Sequence, residues 1–448
     1  MLKRSNGVGA WDSEVIDLTV TRKRKQLDPT TTYDVVMVGL GYVGLPTALS
    51  FAAAGLSVAG VDLSLARLDA VRSGDVDLLD TDRVRLREAL DADSLHLTSS
   101  PSVLSRARVV MVCVPTPVDQ HLVPDLGPIS AACATVVEHA QPGQVLILTS
   151  TTYVGTTRDL LVEPLYRQGL RVGEDVFVAF SPERIDPGNA QFAQEEVPRV
   201  VGGATRECTQ RAVKALGAYA RNLHCVSSPE AAELTKLYEN TFRAVNIALA
   251  NELADISGEL GVDVTEVIDA AATKPYGFMA FAPGPGVGGH CIPCDPHYLL
   301  WQLKRERHSA PLIEQAMSAI AKRPREVVDR AREILADADR GVRGSRVLMV
   351  GVAYKPGVAD LRESPALEVI DRLLALGACV EYFDPLVNEL RLGDGAAMRS
   401  SVDAPMRSYD LVVINTLHPA VDYDWVAGHA CVLDTTYRFN DAPHRSRL

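Results

Sequence analysis

Between Val35 and Val61 no charged side chain interrupts the chain, and within that stretch the hydrophobic pattern changes period. Val35-Val36-Met37-Val38 is a short β-branched run that reads as a strand. Gly39-Leu40-Gly41-Tyr42-Val43-Gly44 follows at once, then an alanine-rich helical run from Leu45 to Ala54 closed by Gly55. A second strand, Ser57 to Val61, ends at Asp62. Strand, glycine turn, helix and strand fit within about 30 residues, the size of a βαβ unit. Length alone would also allow a membrane span. Gly39, Gly41, Gly44, Pro46, Gly55 and Gly60 argue against one, and uncharged strands suit a parallel sheet covered on both faces.

The same alternation continues. Val109–Val114, Val145–Leu148 and Val176–Phe180 read as strands with helical segments between them. Ser228 to Leu260 keeps helical spacing, has no proline after Pro229, and stops at Gly261. Glycine- and proline-rich loops fill Lys274 to Pro296. Strands resume at Arg346–Val350, Val380–Phe383 ending at Asp384, Leu411–Ile414 and Cys431–Leu433, with a helix after Pro365. The expected fold class is α/β: two Rossmann-like doubly wound domains joined by a long central helix. The expected units are a disordered leader (1–32), an NAD-binding domain (33–226), a central helical unit with the loop of interest (227–325), and a second nucleotide-sized domain (326–448).

Composition narrows the function classes. The 448 residues are 47% hydrophobic and 23% charged, as in globular proteins, and the net charge of −12 argues against a nucleic-acid partner. Eight cysteines are too sparse for a disulfide scaffold, so most are expected to be buried reduced thiols in a cytoplasmic protein. The first 32 residues lack an apolar signal segment, and Arg22-Lys23-Arg24-Lys25 reads as part of a solvated leader. No membrane partner is expected.

Four motifs carry chemistry. In the first, Gly39 permits a tight turn, Gly41 lets a pyrophosphate approach the backbone, and Gly44 lets the helix pack on the strand. Asp62 stands near the spacing of the acid that binds ribose hydroxyls, and a carboxylate there favours NAD over NADP. In the second, Cys291 sits in Pro283-Gly284-Pro285-Gly286-Val287-Gly288-Gly289-His290-Cys291-Ile292-Pro293-Cys294-Asp295-Pro296, a loop shaped to present a thiol. Cys291 and Cys294 also spell C-x-x-C, which leaves a redox or metal pair open, although no second ligand pair matches a zinc site. In the third, Glu233, Lys236 and Asn240 share one helix face, which suits either a site or a solvated surface. In the fourth, Lys355 and Arg362 follow a strand and reach either a ligand or the neighbouring Asp360 and Glu363.

Together with Val114-Pro115-Thr116-Pro117, Ser150-Thr151 and Pro182-Glu183, these motifs resemble the UDP-glucose/GDP-mannose dehydrogenase family from Tyr33 to about Arg438. Ser150 to Thr157, Pro182 to Gly188 and Gly289-His290-Cys291-Ile292-Pro293 look like its UDP-N-acetylhexosamine branch. The resemblance implies a four-electron oxidation of a sugar C6 alcohol by NAD through a thiohemiacetal and a thioester on Cys291. It implies Lys236 on the C6 oxygen, Asn240 on that oxygen or a water, Asp295 activating water, and Glu183 as acid/base, with Thr151 beside the chemistry. Gly39, Gly41, Tyr42, Val43, Gly44, Asp62, Arg67, Thr116, Ser150, Thr151 and Arg362 would hold the cofactor. Glu183, Arg184, Lys236, Asn240, Gly288, Lys355 and Lys274 would hold a nucleoside-diphosphate hexose, and the central helix would build a homodimer. No metal is implied. The chain departs from the family pattern at Pro187, Cys294 and Thr436, which bears on which sugar fits. Two rivals stand beside this reading. A two-electron hydroxyacid-type dehydrogenase would share the NAD domain but need neither Cys291 nor a second α/β domain, and a non-catalytic regulator would not need the thiol, lysine, asparagine and aspartate together.

Overall fold

The computed structural model describes residues 33–76, 78–119, 121–184, 195–393, 395–439 and 445–448. The leader with its basic run, and Ile185 to Gly188, lie outside the described residues. The uncharged stretch folds as strand β1 (Tyr33–Val38), a helix (Gly44–Ala53) and β2 (Val58–Val61). Every residue of β2 is buried and the helix is buried along most of its length, so the absence of charge reflects coverage on both sides. Among the described residues no helix is long and apolar enough to cross a membrane.

The first sheet adds β3 (Leu95–Thr98), β4 (Ala107–Val112), β5 (Val145–Leu148), β6 (Phe177–Phe180), β7 (Arg199–Gly203) and β8 (Leu223–Val226), in the order β3-β2-β1-β4-β5-β6-β7-β8. The first six strands are parallel in the dinucleotide-binding order, and β7 joins β6 antiparallel. That order reverses direction between β1 and β4. The crevice outside their carboxyl ends therefore receives the glycine loop and the segment after β4.

A second sheet is built from β9 (Arg346–Val350), β10 (Cys379–Phe383), β13 (Leu411–Ile414), β14 (Val432–Asp434) and β15 (Arg445–Arg447), all parallel in the order β10-β9-β13-β14-β15. A short antiparallel hairpin, β11 (Glu389–Arg391) with β12 (Ala397–Arg399), lies outside it.

The central helix (Pro229–Glu259) runs between the two sheets in sequence. Ser228 caps it by accepting the Ala231 N–H at 3.2 Å, and Pro229 occupies its first turn. Buried Arg323, on the helix Pro311–Asp337, ties the assembly together. It donates to the Gly284 carbonyl (3.2 Å), Asp255 (2.7 Å), Glu326 (3.0 Å) and the Tyr437 hydroxyl (3.3 Å). One guanidinium thus joins the glycine-rich loop, the central helix and the end of the second domain.

All eight cysteines are free. The expectation that most are buried needs correction, because Cys225 and Cys379 are exposed alongside Cys291. Both sit on strands at the ends of their sheets, where one side of the strand meets solvent.

Candidate active site

The glycine loop is held by the protein's own packing. Gly39 has φ +92°, and a Cβ there would lie 2.2 Å from the Cys113 carbonyl oxygen; a Cβ on Gly44 would lie 2.0 Å from the Gly39 oxygen. Gly41 faces open space, with nothing within 4 Å of its Cβ position. Tyr42 is exposed and Val43 half-buried in the turn that opens the helix. Asp62 accepts the Leu40 N–H on Oδ2 (2.9 Å) and the Ser64 N–H on Oδ1 (2.9 Å), and Arg67 donates to the Leu40 carbonyl at 2.8 Å. Each Asp62 oxygen keeps a lone pair for a ribose hydroxyl. Backbone room at Gly41, a helix N-terminus and an acid at the end of β2 fit NAD.

Across the crevice the sequence-predicted residues behave differently from one another. The Ser150 hydroxyl both accepts the Val114 N–H (2.9 Å) and donates to the Val114 carbonyl (2.8 Å), joining the segments after β4 and β5. Thr116 is buried and Thr151 half-buried in those same segments. Glu183 is bridged to buried Arg199 at 2.5 Å, and Arg184 pairs with Glu239 of the central helix while donating to the Pro198 carbonyl at 2.8 Å. Both partners of this strap, Arg199 and Glu239, escape a sequence reading because the pairing is long-range.

The helix face is not a solvated surface. Glu233, Lys236 and Asn240 are 1%, 9% and 4% exposed. Glu233 is spent on structure: it accepts the N–H groups of Gly155 (2.6 Å) and Thr157 (2.8 Å) and the Thr157 hydroxyl (2.7 Å). It staples the loop after β5 to the central helix. Lys236 and Asn240 face the thiol loop instead, where the Asn240 amide donates to the Asp295 carboxylate.

Cys291 and Asp295 form the turn that opens the helix Asp295–Arg305, since the Cys291 carbonyl accepts the N–H of Cys294 (3.2 Å) and of Asp295 (2.8 Å). The C-x-x-C pair is therefore a helix-opening turn, and among the described residues no group of His, Cys, Asp and Glu could hold a metal. Burial pushes the Asp295 carboxyl up to about 6, against the opposing pull of Lys236 and the Asn240 hydrogen bond. Cys291 keeps an opening to solvent, but the protein packed around it still desolvates the thiol and raises it, as does the Asp295 charge, while Lys236, Arg362 and Arg243 pull it down. Arg243, one turn beyond Asn240, was not singled out in the sequence.

The second domain closes the site. The Arg362 carbonyl accepts the Gly289 N–H at 2.8 Å, and its guanidinium lies 4.1 Å from the centre of the Tyr42 ring while paired with Asp360 at 2.6 Å. Arg362 is thus both ion-paired and in contact with the glycine loop. It brings the thiol loop beside that loop. A Cβ at Gly288 would lie 2.6 Å from the Glu363 carbonyl oxygen and from Tyr354 Cβ, so this glycine lets the thiol loop nest against the segment bearing Lys355. Lys355 is half-buried there. Lys274 is exposed, with its ammonium 5.1 Å from the Tyr276 ring centre.

Three family models match in order along the chain: the NAD binding domain of the UDP-glucose/GDP-mannose dehydrogenase family over 33–220, its central domain over 230–319, and its UDP binding domain over 348–440. The chain belongs to that family. It is an α/β oxidoreductase of the nucleotide-sugar dehydrogenase group with an NAD-binding domain. It is 35% identical over 361 residues to the UDP-N-acetyl-D-glucosamine 6-dehydrogenase of Pseudomonas aeruginosa, covering 79% of this chain and 83% of that one. It is 34% identical over 389 residues to the UDP-N-acetyl-D-mannosamine dehydrogenase of Pyrococcus horikoshii, covering 86% and 89%. The solved structure of the UDP-D-ManNAc dehydrogenase from Pyrococcus horikoshii superimposes with a TM-score of 0.84 at 31% identity, covering 92% of this chain and 98% of that one. A UDP-glucose dehydrogenase from Pyrobaculum islandicum gives 0.80 at 25% identity, covering 94% and 98%. Members of this family thus share the fold across sugars that differ at C2, so the fold alone does not choose the sugar.

Proposed function

We propose that this chain oxidises the C6 alcohol of a UDP-hexose to the carboxylate, with a UDP-N-acetylhexosamine as the favoured substrate over UDP-glucose. The observation that supports it most is the convergence of Cys291, Asp295, Asn240 and Lys236 beside the glycine loop. The names of the relatives support the acetamido sugar.

NAD, when bound, supplies the two-electron oxidant at each of the two stages. Gly39, Gly41, Tyr42, Val43, Gly44, Asp62 and Arg67 would hold it, with Thr116, Ser150, Thr151 and Arg362 completing its cleft. In the first oxidation the C6 hydroxyl proton passes to water as hydride leaves C6, and Lys236 holds the oxygen as negative charge develops there, worth about 2.7–4 kcal/mol for a preorganised donor. At the aldehyde stage the Cys291 sulfur bonds C6 and the thiol proton passes to the carbonyl oxygen, giving a thiohemiacetal. The second oxidation leaves a thioester. Asp295, oriented by Asn240, then takes a proton from the water whose oxygen bonds C6. The C–S bond breaks and sulfur recovers a proton. Glu183, Arg184, Gly288 and Lys355 contact the nucleotide sugar.

A panel of UDP-sugars assayed for NADH formation tests this reading. Two NADH per sugar consumed, with the uronate as product, is the expected result. One NADH with a free aldehyde or ketone would support a two-electron dehydrogenase instead, and binding of NAD and UDP-sugar without turnover would support a regulator.

We also propose a homodimer working in the cytoplasm, where NAD, nucleotide sugars and reduced thiols coexist. The central helix carries exposed Leu234, Tyr238, Phe242, Leu249 and Ile256 along one side. At roughly 100° per residue this stripe stands about half a turn from Lys236, Asn240 and Arg243. Replacing Tyr238 and Leu249 together with glutamate is expected to halve the mass measured by light scattering; an unchanged mass would rule this interface out.

A further inference from the structure

The loop after β9, Gly351 to Gly357, carries Tyr354 and Lys355, and its backbone is fixed by side chains from other strands. Asp384, just past β10, accepts the N–H of Val352 (2.8 Å) and Ala353 (3.2 Å) on Oδ2, and those of Leu386 (2.9 Å) and Val387 (3.1 Å) on Oδ1. Thr416 donates to the Ala353 carbonyl at 2.6 Å, and the Asp360 carbonyl accepts the Tyr354 N–H at 3.0 Å. Those bonds pin the loop up to Tyr354. Beyond Lys355, His418 takes over. Its Nδ1 accepts the Gly357 N–H at 3.0 Å and its Nε2 lies 3.2 Å from Asp384 Oδ2.

The two side chains are 1% and 0% exposed, so the His418–Asp384 bond is made away from water, and His418 reaches from there to the exposed Gly357. An amide N–H only donates, so Nδ1 presents a lone pair to Gly357. The ring proton then resides on Nε2 and is donated to Asp384. Asp384 fixes the tautomer and His418 fixes the glycine. Lys355 stands between two anchors made by one acid–imidazole pair.

We propose that His418, oriented by Asp384, is a positioning residue for the nucleotide-sugar site, holding Lys355 in place through the Gly357 amide. This rests on the reading that Lys355 contacts the substrate. Without His418 the segment Lys355-Pro356-Gly357 loses its distal anchor, and the substrate must order it on binding. Tyr354, which packs against Gly288 and Gly289 of the thiol loop, stays pinned by Asp384, Thr416 and Asp360. The loss therefore falls on substrate binding and leaves the chemistry intact.

Kinetics on the whole enzyme, with the UDP-sugar that supports NADH formation, test this. His418→Leu fills the same space but offers no polar atom, and is expected to raise KM for the sugar nucleotide about tenfold. KM for NAD and kcat are expected to stay within about threefold. His418→Asn, whose amide oxygen falls where Nδ1 stood and can accept the Gly357 N–H, is expected to restore KM. Lys355→Ala is expected to raise KM similarly, and adding His418→Leu to it to raise KM no further. If the Leu variant does not fold, His418→Gln, whose amide falls at the Nε2 position beside Asp384 rather than at Gly357, takes its place. Effects that multiply in the double variant, an unchanged KM, or an equal loss in kcat and in both KM values would each overturn the proposal. A flat response to Lys355→Ala would instead overturn the substrate role of Lys355.

Discussion

Replacing Cys291 with serine is expected to cut NADH formation from the sugar nucleotide by a factor on the order of 10⁴ or more, with UDP-sugar binding retained. The serine oxygen keeps the size and the turn, because the bonds that shape the loop run through the Cys291 carbonyl to the N–H groups of Cys294 and Asp295. The nucleophile is what disappears. A serine hydroxyl is a far weaker nucleophile than a thiol, and its ester would release less readily than a thioester. Steady-state NADH production and calorimetric UDP binding check the two halves. Near-normal acid formation by the serine variant would end the covalent mechanism.

Asp295→Asn is expected to slow turnover by about 10²–10⁴ and to trap the acyl enzyme, seen as a mass increase that is absent when Cys291 is also changed. The pH dependence carries its own sign. The Asp295 carboxyl stands at about 6, so it is a base above that pH and a spectator below it. In the unaltered enzyme kcat is expected to fall roughly tenfold per pH unit below about 6, and the asparagine variant to lose that limb. The same displacement bears on stability. A carboxyl raised above its ordinary 3.8 contributes stability that is full below about pH 4 and lost as pH rises through about 6. At neutral pH keeping it ionised costs on the order of 3 kcal/mol. A kcat flat from pH 5 to 8 in the unaltered enzyme would remove Asp295 from the proton transfer.

Much of this was legible in linear order, for reasons particular residues make plain. β5, β9 and β13 have the bounds their apolar runs suggest, because each run is uniform and ends at a polar or glycine residue. β3 (Leu-His-Leu-Thr), β7 (Arg-Val-Val-Gly-Gly) and β15 (Arg-Ser-Arg) were not legible. Their own side chains do not mark them as strands; their neighbours in the sheet do. At the site, Cys291, Asp295 and the glycine loop stand out by local composition. Glu233 does not declare itself, since an acid at helical spacing looks the same whether it faces water or caps Gly155 and Thr157. Arg199 with Glu183, Arg184 with Glu239, and Asp384 with His418 are meetings of distant segments that no spacing rule encodes.

The central helix works two sides of one rod, with polar groups that meet the thiol loop on one and bare apolar groups on the other. Point changes on the outer side leave the inner side in register. A one-residue insertion or deletion between Lys236 and Ile256 has no such freedom. It would swing everything downstream by roughly 100° and carry outer residues inward. Length within this rod is therefore far less negotiable than composition, and only gains or losses of about seven residues would return both sides to nearly their former bearings.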